Sequence, residues 1–418
     1  MLQVTSYKLT LLAGAFLFLL SAWYFALLIV PSGLGTSAPT VQQGFLPEWL
    51  GCREILHGRS PYLPEVTQRI ELSIYGKTVS ADRSANQHRF AYPVVFIFLF
   101  FPIALLPFDV AQLVMLVACL TLSAMSVGWW IDSSHLGKLD VLSYTTLLLA
   151  AYPVVLGLQL RQPTLLIAAL LAFAVFCMRS GWLALSGVTA AAAASKPQLA
   201  IAVLIPLSIW AIASWRIRKT FLLSLGASLL VLGLASEAAV PGWIVPWLHT
   251  IRAYSHYAGA RPPLADLTRG HLLIPAASLL VATVVWVSFE VCDSDPLLAI
   301  SFSVTAFQLL FPLQIYNQVL LLPAALWAAK NSDKIRERGQ LCVLLFGCAW
   351  IALASGWIAM LALSVWDIAA PGSGVKLWQV PLLVTWLYPM LLFTAFATLA
   401  ASSLLARCRA RLIRSIAR

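Results

Sequence analysis

Long apolar runs separated by short polar stretches make up most of the sequence. A helix rising about 1.5 Å per residue needs about 20 residues to cross roughly 30 Å of hydrocarbon. The pattern therefore predicts an all-α polytopic protein of about 12–13 helices, in which the shorter runs are half-helices or re-entrant segments. The thirteen runs lie near residues 9–30, 92–107, 110–131, 141–158, 163–178, 181–195, 197–215, 220–236, 271–290, 297–312, 316–329, 340–366 and 380–405.

Composition supports a membrane location. Hydrophobic residues make up 61% of the 418 residues, charged residues only 10%, and the mean hydropathy is +0.88. A soluble domain carries about 25% charged residues, so an ordinary soluble enzyme is excluded. The net charge of +11 sits mostly in short clusters between apolar runs, which indicates topology and no nucleic-acid partner. The seven cysteines show no CxxC spacing, so neither a disulfide framework nor a zinc site is indicated.

The basic clusters predict the orientation. Residues 9–30 are too long for a signal-peptide core and are expected to be a retained span. The positive-inside rule puts both termini in the cytoplasm and two long polar loops, 31–91 and 237–270, on the external side. We expect a single integral domain over residues 1–418, multi-pass in a bacterial plasma membrane. The orientations predicted before residue 92 and after residue 159 are consistent only if one of the three apolar runs between them does not cross the membrane.

The first external loop contains a short amphipathic pattern. In the segment PEWLGCREILH, residues 47–57, apolar side chains recur at Trp49, Cys52, Ile55 and Leu56, and Gly58 follows as a helix stop. This spacing predicts a short helix on the membrane surface.

Lys196 is the first candidate for chemistry. It is the only charged residue between Gly181 and Trp215. A lysine at a membrane boundary needs a partner, for which an anionic phosphate is suited, or it snorkels to the interface. Both interpretations remain open from the sequence.

Other polar clusters fall on the same predicted external face. Gln159, Arg161 and Gln162 supply donors where the next helix begins, although a plain connecting loop explains them nearly as well. Tyr316 and Asn317 open another run, where an interfacial cap is the alternative. The 237–270 loop carries aromatic residues with interspersed cations, which suits sugar stacking or an interfacial aromatic belt. The residues of interest there are Arg252 and His256.

Taken together, these segments resemble glycosyltransferase family 87, whose members have the GT-C fold and use polyprenol-phosphate-mannose donors. In that family an external loop reads D-F-x-x-Y…A-A-R-x-L-x-x-G-x-x-P-Y, and EWLGCREILHGRSPY, residues 48–62, matches its second half. The sequence Phe90-Ala-Tyr-Pro93 matches the family's F-x-Y-P, which makes Tyr92 a candidate sugar or acceptor contact. Further matches, in the right order, are 157–164, Lys196-Pro197 and Tyr316 with LLLP at 320–323.

Two regions depart from the family pattern. Residues 158–164 read LQLRQPT, with Gln162-Pro163 where the family has Gln-x-Asn. The aspartate that the resemblance implies as catalytic base falls on Gly44. Glu48 lies four residues on and would share its helix face, so Glu48 is the candidate base. The alternative is that Glu48 only serves the first helical turn. Glu54 is held in reserve, followed by Asp82.

The resemblance implies a membrane enzyme of the cell envelope. A sugar, mannose or a related residue, would pass from a polyprenyl-phosphate donor to a lipid-linked or glycan acceptor at the external face, with inversion. Lys196, Arg161, Gln159 and Gln162 would hold the donor phosphate. No cofactor and no obligatory metal are expected, although many enzymes of this fold use a divalent ion.

Two other functions stay open. One is an inactive homologue that binds lipid-linked glycan, for which Gly44 is the argument. The other is a transporter, against which there is no inverted-repeat spacing and only one intramembrane charge.

Overall fold

The computed structural model describes residues 39–79, 87–132, 148–257, 262–268, 270–311, 314–370 and 387–416, together with residues 16, 19, 144 and 145. Within these residues the protein is all-helical and has no strand, as the sequence predicts. Apart from residues 16 and 19, the predicted first span, 9–30, lies outside the described part of the chain, as does Asp82. Contacts group the chain into two compact units, one of Met1–Leu204 with Ser214–Arg261 and the other of Ile205–Ala213 with Pro262–Arg418.

The first unit begins with two helices from the predicted external loop. These are α1 (Pro39–Leu56) and α2 (Pro64–Tyr75), followed by a 3₁₀ turn, Val94–Phe96, and α3 (Ile97–Ala104). Helix α1 packs against α2 and α3. The indole nitrogen of Trp49 also donates a hydrogen bond to the carbonyl oxygen of Leu106, at 3.0 Å.

The predicted surface helix proves different in length and setting. Helix α1 starts at Pro39, upstream of Pro47, because Phe45 and Leu46 are buried and favour continuation of the helix. Most side chains from Gly44 to Ile55 are buried as well, so α1 does not lie exposed on a membrane surface. The amphipathic surface belongs instead to α2, which buries Val66 and Ile70 and exposes its other side.

The remaining helices of the first unit form a layered bundle. Helix α6 packs between α4 and α7, and α7 packs in turn on α9. The second predicted loop, 237–270, is largely helical, with α10 in this unit. The bounds are α4 (Phe108–Asp132), α5 (Tyr152–Gln159), α6 (Thr164–Arg179), α7 (Leu183–Ala193), α8 (Pro197–Ala213, whose second half belongs to the other unit), α9 (Trp215–Ala239) and α10 (Ile244–Tyr257).

The second unit is built around helix α13. This helix contacts α12 and α14 and also the long C-terminal helix α17, which lies beside α16. The bounds are α11 (Pro263–Leu267), α12 (Leu273–Val291), α13 (Pro296–Leu310), a 3₁₀ segment (Ile315–Leu321), α14 (Leu322–Lys330), α15 (Ser332–Glu337), α16 (Gln340–Ala369) and α17 (Leu387–Ile416).

Three helices of the described chain are long and apolar enough to cross a membrane: α4, α9 and α12. The protein is therefore a helical membrane protein. Of the three runs between 92 and 159, only α4 reaches a spanning length among the described residues, since α3 and α5 have 8 residues each, or about 12 Å. The prediction that one of the three runs does not cross stays a prediction, because part of the run 141–158 lies outside the described residues.

Close packing of α7 on α9 depends on Gly187. A Cβ at this position would overlap Ser224 Oγ and lie 2.5 Å from the carbonyl oxygen of Phe221. We expect Gly187→Ala to lower the thermal unfolding midpoint in detergent, because overpacking costs about 1–3 kcal/mol and exceeds the gain of up to about 1 kcal/mol in helix propensity. Gly226→Ala on α9 is the matched control, since nothing lies within 4 Å of its Cβ position. Equal midpoints for the two variants would contradict this packing.

Candidate functional site

Glu48 lies on the buried face of α1. Gly44, Glu48, Gly51 and Cys52 follow one another at helical spacing, so they share one side of the helix. That side packs against the rest of the unit, and the Glu48 side chain is only 8% exposed. Its Oε2 atom has no hydrogen-bond partner among the described residues. A buried carboxylate oxygen without a partner is costly, which marks it as a candidate for ligand contact.

The two glycines of this face allow close approach. A Cβ on Gly44 would lie 2.7 Å from the carbonyl oxygen of Leu160 and 2.9 Å from its Cβ, and a Cβ on Gly51 would overlap the ring of Phe90. The Gln162 side-chain amide also donates to the Gly44 carbonyl oxygen at 2.6 Å. Gly44 is therefore a packing position with no room for a side chain.

Lys196 is the charged partner of Glu48. It lies directly before α8, is 5% exposed, and donates from Nζ to Thr164 Oγ1 at 2.5 Å. Its Nζ also sits over the ring of Tyr92, 5.4 Å from the centroid, at a distance suited to a cation–π interaction. The charges of Glu48 and Lys196 act on each other, which brings the two sequence candidates into one site.

Burial shifts both ionisation equilibria. Burial raises the pKa of Glu48 to about 7, although a hydrogen bond to its own backbone and the nearby Lys196 act in the opposite direction. Burial lowers the pKa of Lys196 to about 7, and the Glu48 charge opposes this shift. Burial therefore pushes both the carboxyl and the amine toward their neutral forms, which suits a general base and a cation whose charge responds to its surroundings.

The turn between α5 and α6 forms the wall of this site. Arg161 adopts a left-handed conformation at φ +50°, uncommon for a residue with a side chain. Its Nη1 donates to the carbonyl oxygen of Gln159 at 2.5 Å, while its Nε has no hydrogen-bond partner among the described residues. Burial also lowers the pKa of Arg161. A partly buried guanidinium with a spare N–H suits an anionic ligand.

Glu54, the reserve candidate for the catalytic base, is bound by two arginines. Its carboxylate receives hydrogen bonds from Arg59 Nε and Arg69 Nη1, both at 2.6 Å. Although burial acts to raise its pKa, these two arginines hold it below its usual value. Glu54 joins α1 to Arg59 in the following loop and to Arg69 in the middle of α2, and it is a poor proton acceptor.

The remaining predicted contacts are Arg252, His256, Tyr316 and Asn317. Arg252 is exposed on α10, and the His256 side chain is outside the described part of the structure. Tyr316 and Asn317 belong to the second unit, where Asn317 is buried and its carbonyl oxygen accepts from Gln308 Nε2 at 3.0 Å. These assignments stay predictions.

Sequence reasoning missed two hydroxyl residues. Thr164 is fully buried against Lys196, and Ser195 Oγ is buried without a partner among the described residues. The only signal for Thr164 was a hydroxyl in the first turn of an apolar run, and its pairing with a residue 32 positions away is visible only in three dimensions.

The described His, Cys, Asp and Glu side chains are the possible metal ligands. Within the described ranges, no group of three or more His, Cys, Asp or Glu side chains is placed to hold a metal ion. The expectation that no metal is obligatory stays a prediction.

Comparison with known proteins adds no family assignment. No family model matches the chain, and no curated protein is significantly similar to it. The resemblance to glycosyltransferase family 87 stays a prediction based on the motifs.

The packing at Gly44 is testable with the residue that the family pattern has there. We expect Gly44→Asp and Gly44→Ala both to lower the thermal unfolding midpoint, because any Cβ must displace the Leu160 backbone, at a cost of about 1–3 kcal/mol. Gly128→Ala on α4 is the control, since its Cβ position is open. A Gly44→Asp protein as stable as the wild type would show that the pocket accommodates the aspartate.

Proposed function

We propose that the protein is a GT-C-type membrane glycosyltransferase that moves a sugar from a polyprenyl-phosphate donor to a lipid-linked or glycan acceptor at the external membrane face. The observation that supports this most is the buried Glu48 carboxylate, with one oxygen lacking a partner among the described residues, beside the buried Lys196. A base and a cation in one enclosed site are what displacement of a sugar from phosphate requires.

The proposed reaction assigns one role to each group. Glu48 Oε2 takes the proton from the acceptor hydroxyl as that oxygen attacks the anomeric carbon. The bond between the anomeric carbon and the phosphate oxygen breaks, and the electron pair leaves with the phosphate. Lys196 stabilises the developing negative charge, so no separate general acid is needed. Attack opposite the leaving phosphate inverts the anomeric configuration.

Arg161, Gln159 and Gln162 have supporting roles in this proposal. The unpartnered Nε of Arg161 offers a second cationic contact to the phosphate. The Gln162 side-chain amide donates a hydrogen bond to Gly44, and the main-chain carbonyl of Gln159 accepts one from Arg161, so both residues also hold the turn in place. Tyr92 supports the Lys196 ammonium with its ring face.

The absence of the family aspartate favours one rival, an inactive homologue that binds lipid-linked glycan. The packing at Gly44 bears on this rival, because a helix without room at Gly44 leaves Glu48, one turn later, as the carboxylate that faces the site. Both proposals expect the protein to bind a lipid phosphate, but only the glycosyltransferase proposal expects it to transfer sugar.

Transfer of labelled mannose from a polyprenyl-phosphate-mannose donor, by the purified protein in nanodiscs, tests the proposal. We expect Glu48→Gln to reduce the single-turnover rate by about 10²-fold or more, since general base catalysis contributes about 10² to 10⁴-fold. Glu65→Gln, at an exposed carboxylate on α2, is the control and should retain the wild-type rate. Binding of donor without turnover by the wild-type protein, over a panel of acceptors, would favour the inactive homologue.

The pH dependence gives a second prediction. Glu48 must be ionised to accept a proton, so the rate should rise with pH through about 7; Lys196 must be protonated, so the rate should fall as pH rises through its own pKa of about 7. The single-turnover rate should therefore peak near neutral pH and decline on both sides. In Lys196→Ala the alkaline decline should disappear and donor affinity should fall, whereas Lys77→Ala, an exposed lysine, should match the wild type. A flat profile from pH 5.5 to 8.5 would contradict these roles.

A further inference from the structure

The hydrogen bond between Lys196 and Thr164 joins two segments that are 32 residues apart in sequence. The Thr164 side chain is fully buried, and the lysine is nearly so. Bonds between a charged donor and a neutral acceptor are stronger than neutral pairs, and they stabilise the charged form of the donor. The hydroxyl oxygen of Thr164 therefore affects both the direction and the protonation of the ammonium.

The backbone on both sides of this bond is held in place. Thr164 opens α6 directly after the turn whose Gln162 side chain is bonded to Gly44 on α1. The Lys196 N–H donates to the carbonyl oxygen of Ala193 at 3.1 Å, and the Lys196 carbonyl accepts from Leu199 N–H at 3.0 Å. With both backbones fixed, the flexible part is the lysine side chain, which has high rotamer entropy. An acceptor at its tip restricts that freedom.

We propose that Thr164 is a positioning residue that keeps the Lys196 ammonium charged and directed toward the donor phosphate. The inference rests on the proposed function and adds a residue to it. Thr164 itself touches neither the sugar nor the reacting atoms in this scheme. It acts through the lysine.

Two other groups act on the Lys196 ammonium. Glu48 on α1 favours the protonated form, and the Tyr92 ring, which precedes the first 3₁₀ turn, faces the ammonium. Arg161 lies in the turn three residues before Thr164 and carries a positive charge. Because a threonine hydroxyl does not titrate in this range, the contribution of Thr164 is separable from theirs by substitution.

Thr164→Val and Thr164→Ser provide the test. Valine keeps the shape and removes the acceptor, whereas serine keeps it. The probe is a short-chain isoprenyl monophosphate, and its affinity for the full-length protein in nanodiscs is measured from pH 6 to 9. We expect Thr164→Val to weaken binding about tenfold and to move the alkaline loss of binding to lower pH, since the charged lysine loses a stabilising bond. Thr164→Ser should keep the wild-type profile. Thr164→Ala serves as a second variant if valine impairs folding.

A double variant identifies the route of the effect. In a Lys196→Ala background, Thr164→Val should change phosphate affinity little, because the residue through which it acts is gone. An equal loss in both backgrounds, or an unshifted pH profile in Thr164→Val, would overturn the inference. Sugar transfer, assayed in parallel, separates the two proposals. If Thr164→Val alters phosphate binding but the protein never transfers sugar, only the glycosyltransferase activity is refuted. If the enzyme is active and Thr164→Val binds phosphate normally, only the role of Thr164 is refuted.

Discussion

The close approach of α1 to the turn at residues 160–162 is the contact on which the candidate site depends. Gly44 approaches Leu160 so closely that no side chain fits at position 44. The Gln162 side-chain amide also donates a hydrogen bond to the carbonyl oxygen of Gly44. Because Glu48 is one helical turn from Gly44, this contact carries the carboxylate into the interior of the unit. The same turn leads directly into Thr164, which holds Lys196. This one backbone contact therefore helps to position both the Glu48 carboxylate and the Lys196 ammonium.

Burial then sets the chemistry of the two groups. An isolated charge in a low-dielectric interior is costly, so each group is pushed toward its neutral form, and the mutual attraction only partly offsets this. A pair of this kind contributes little to folding stability, since desolvation consumes most of the Coulombic gain. An unpartnered oxygen on Glu48 adds to that cost. Retaining such groups is more readily explained by function than by stability.

The sequence predicted where helices form better than it predicted which helices and side chains contact one another. Runs such as 110–131 and 163–178 became helices Phe108–Asp132 and Thr164–Arg179, because a long apolar run satisfies its backbone best as a helix. The start of α1 was misplaced because Pro47 usually opens a helix, whereas here it lies inside one. Charge scarcity singled out Lys196, whereas Glu48 was chosen because the family resemblance implies a carboxylate one helical turn earlier, at Gly44. Their proximity, and the part of Thr164, depend on long-range packing that no local pattern encodes.

Glu48 and Glu54 show why residue type and spacing alone could not assign the roles. They are six residues apart on one helix, and the sequence offered both as carboxylates of the external loop. Two arginines satisfy Glu54 and keep it ionised, so it serves as a tie between α1 and α2. Glu48 lies on the other side of the helix, beside a buried lysine, and titrates near neutrality. When the environments of two carboxylates drive their pKa values apart, the one near the working pH is the better proton acceptor. The proposed role of Glu48 as base therefore rests on what surrounds each side chain.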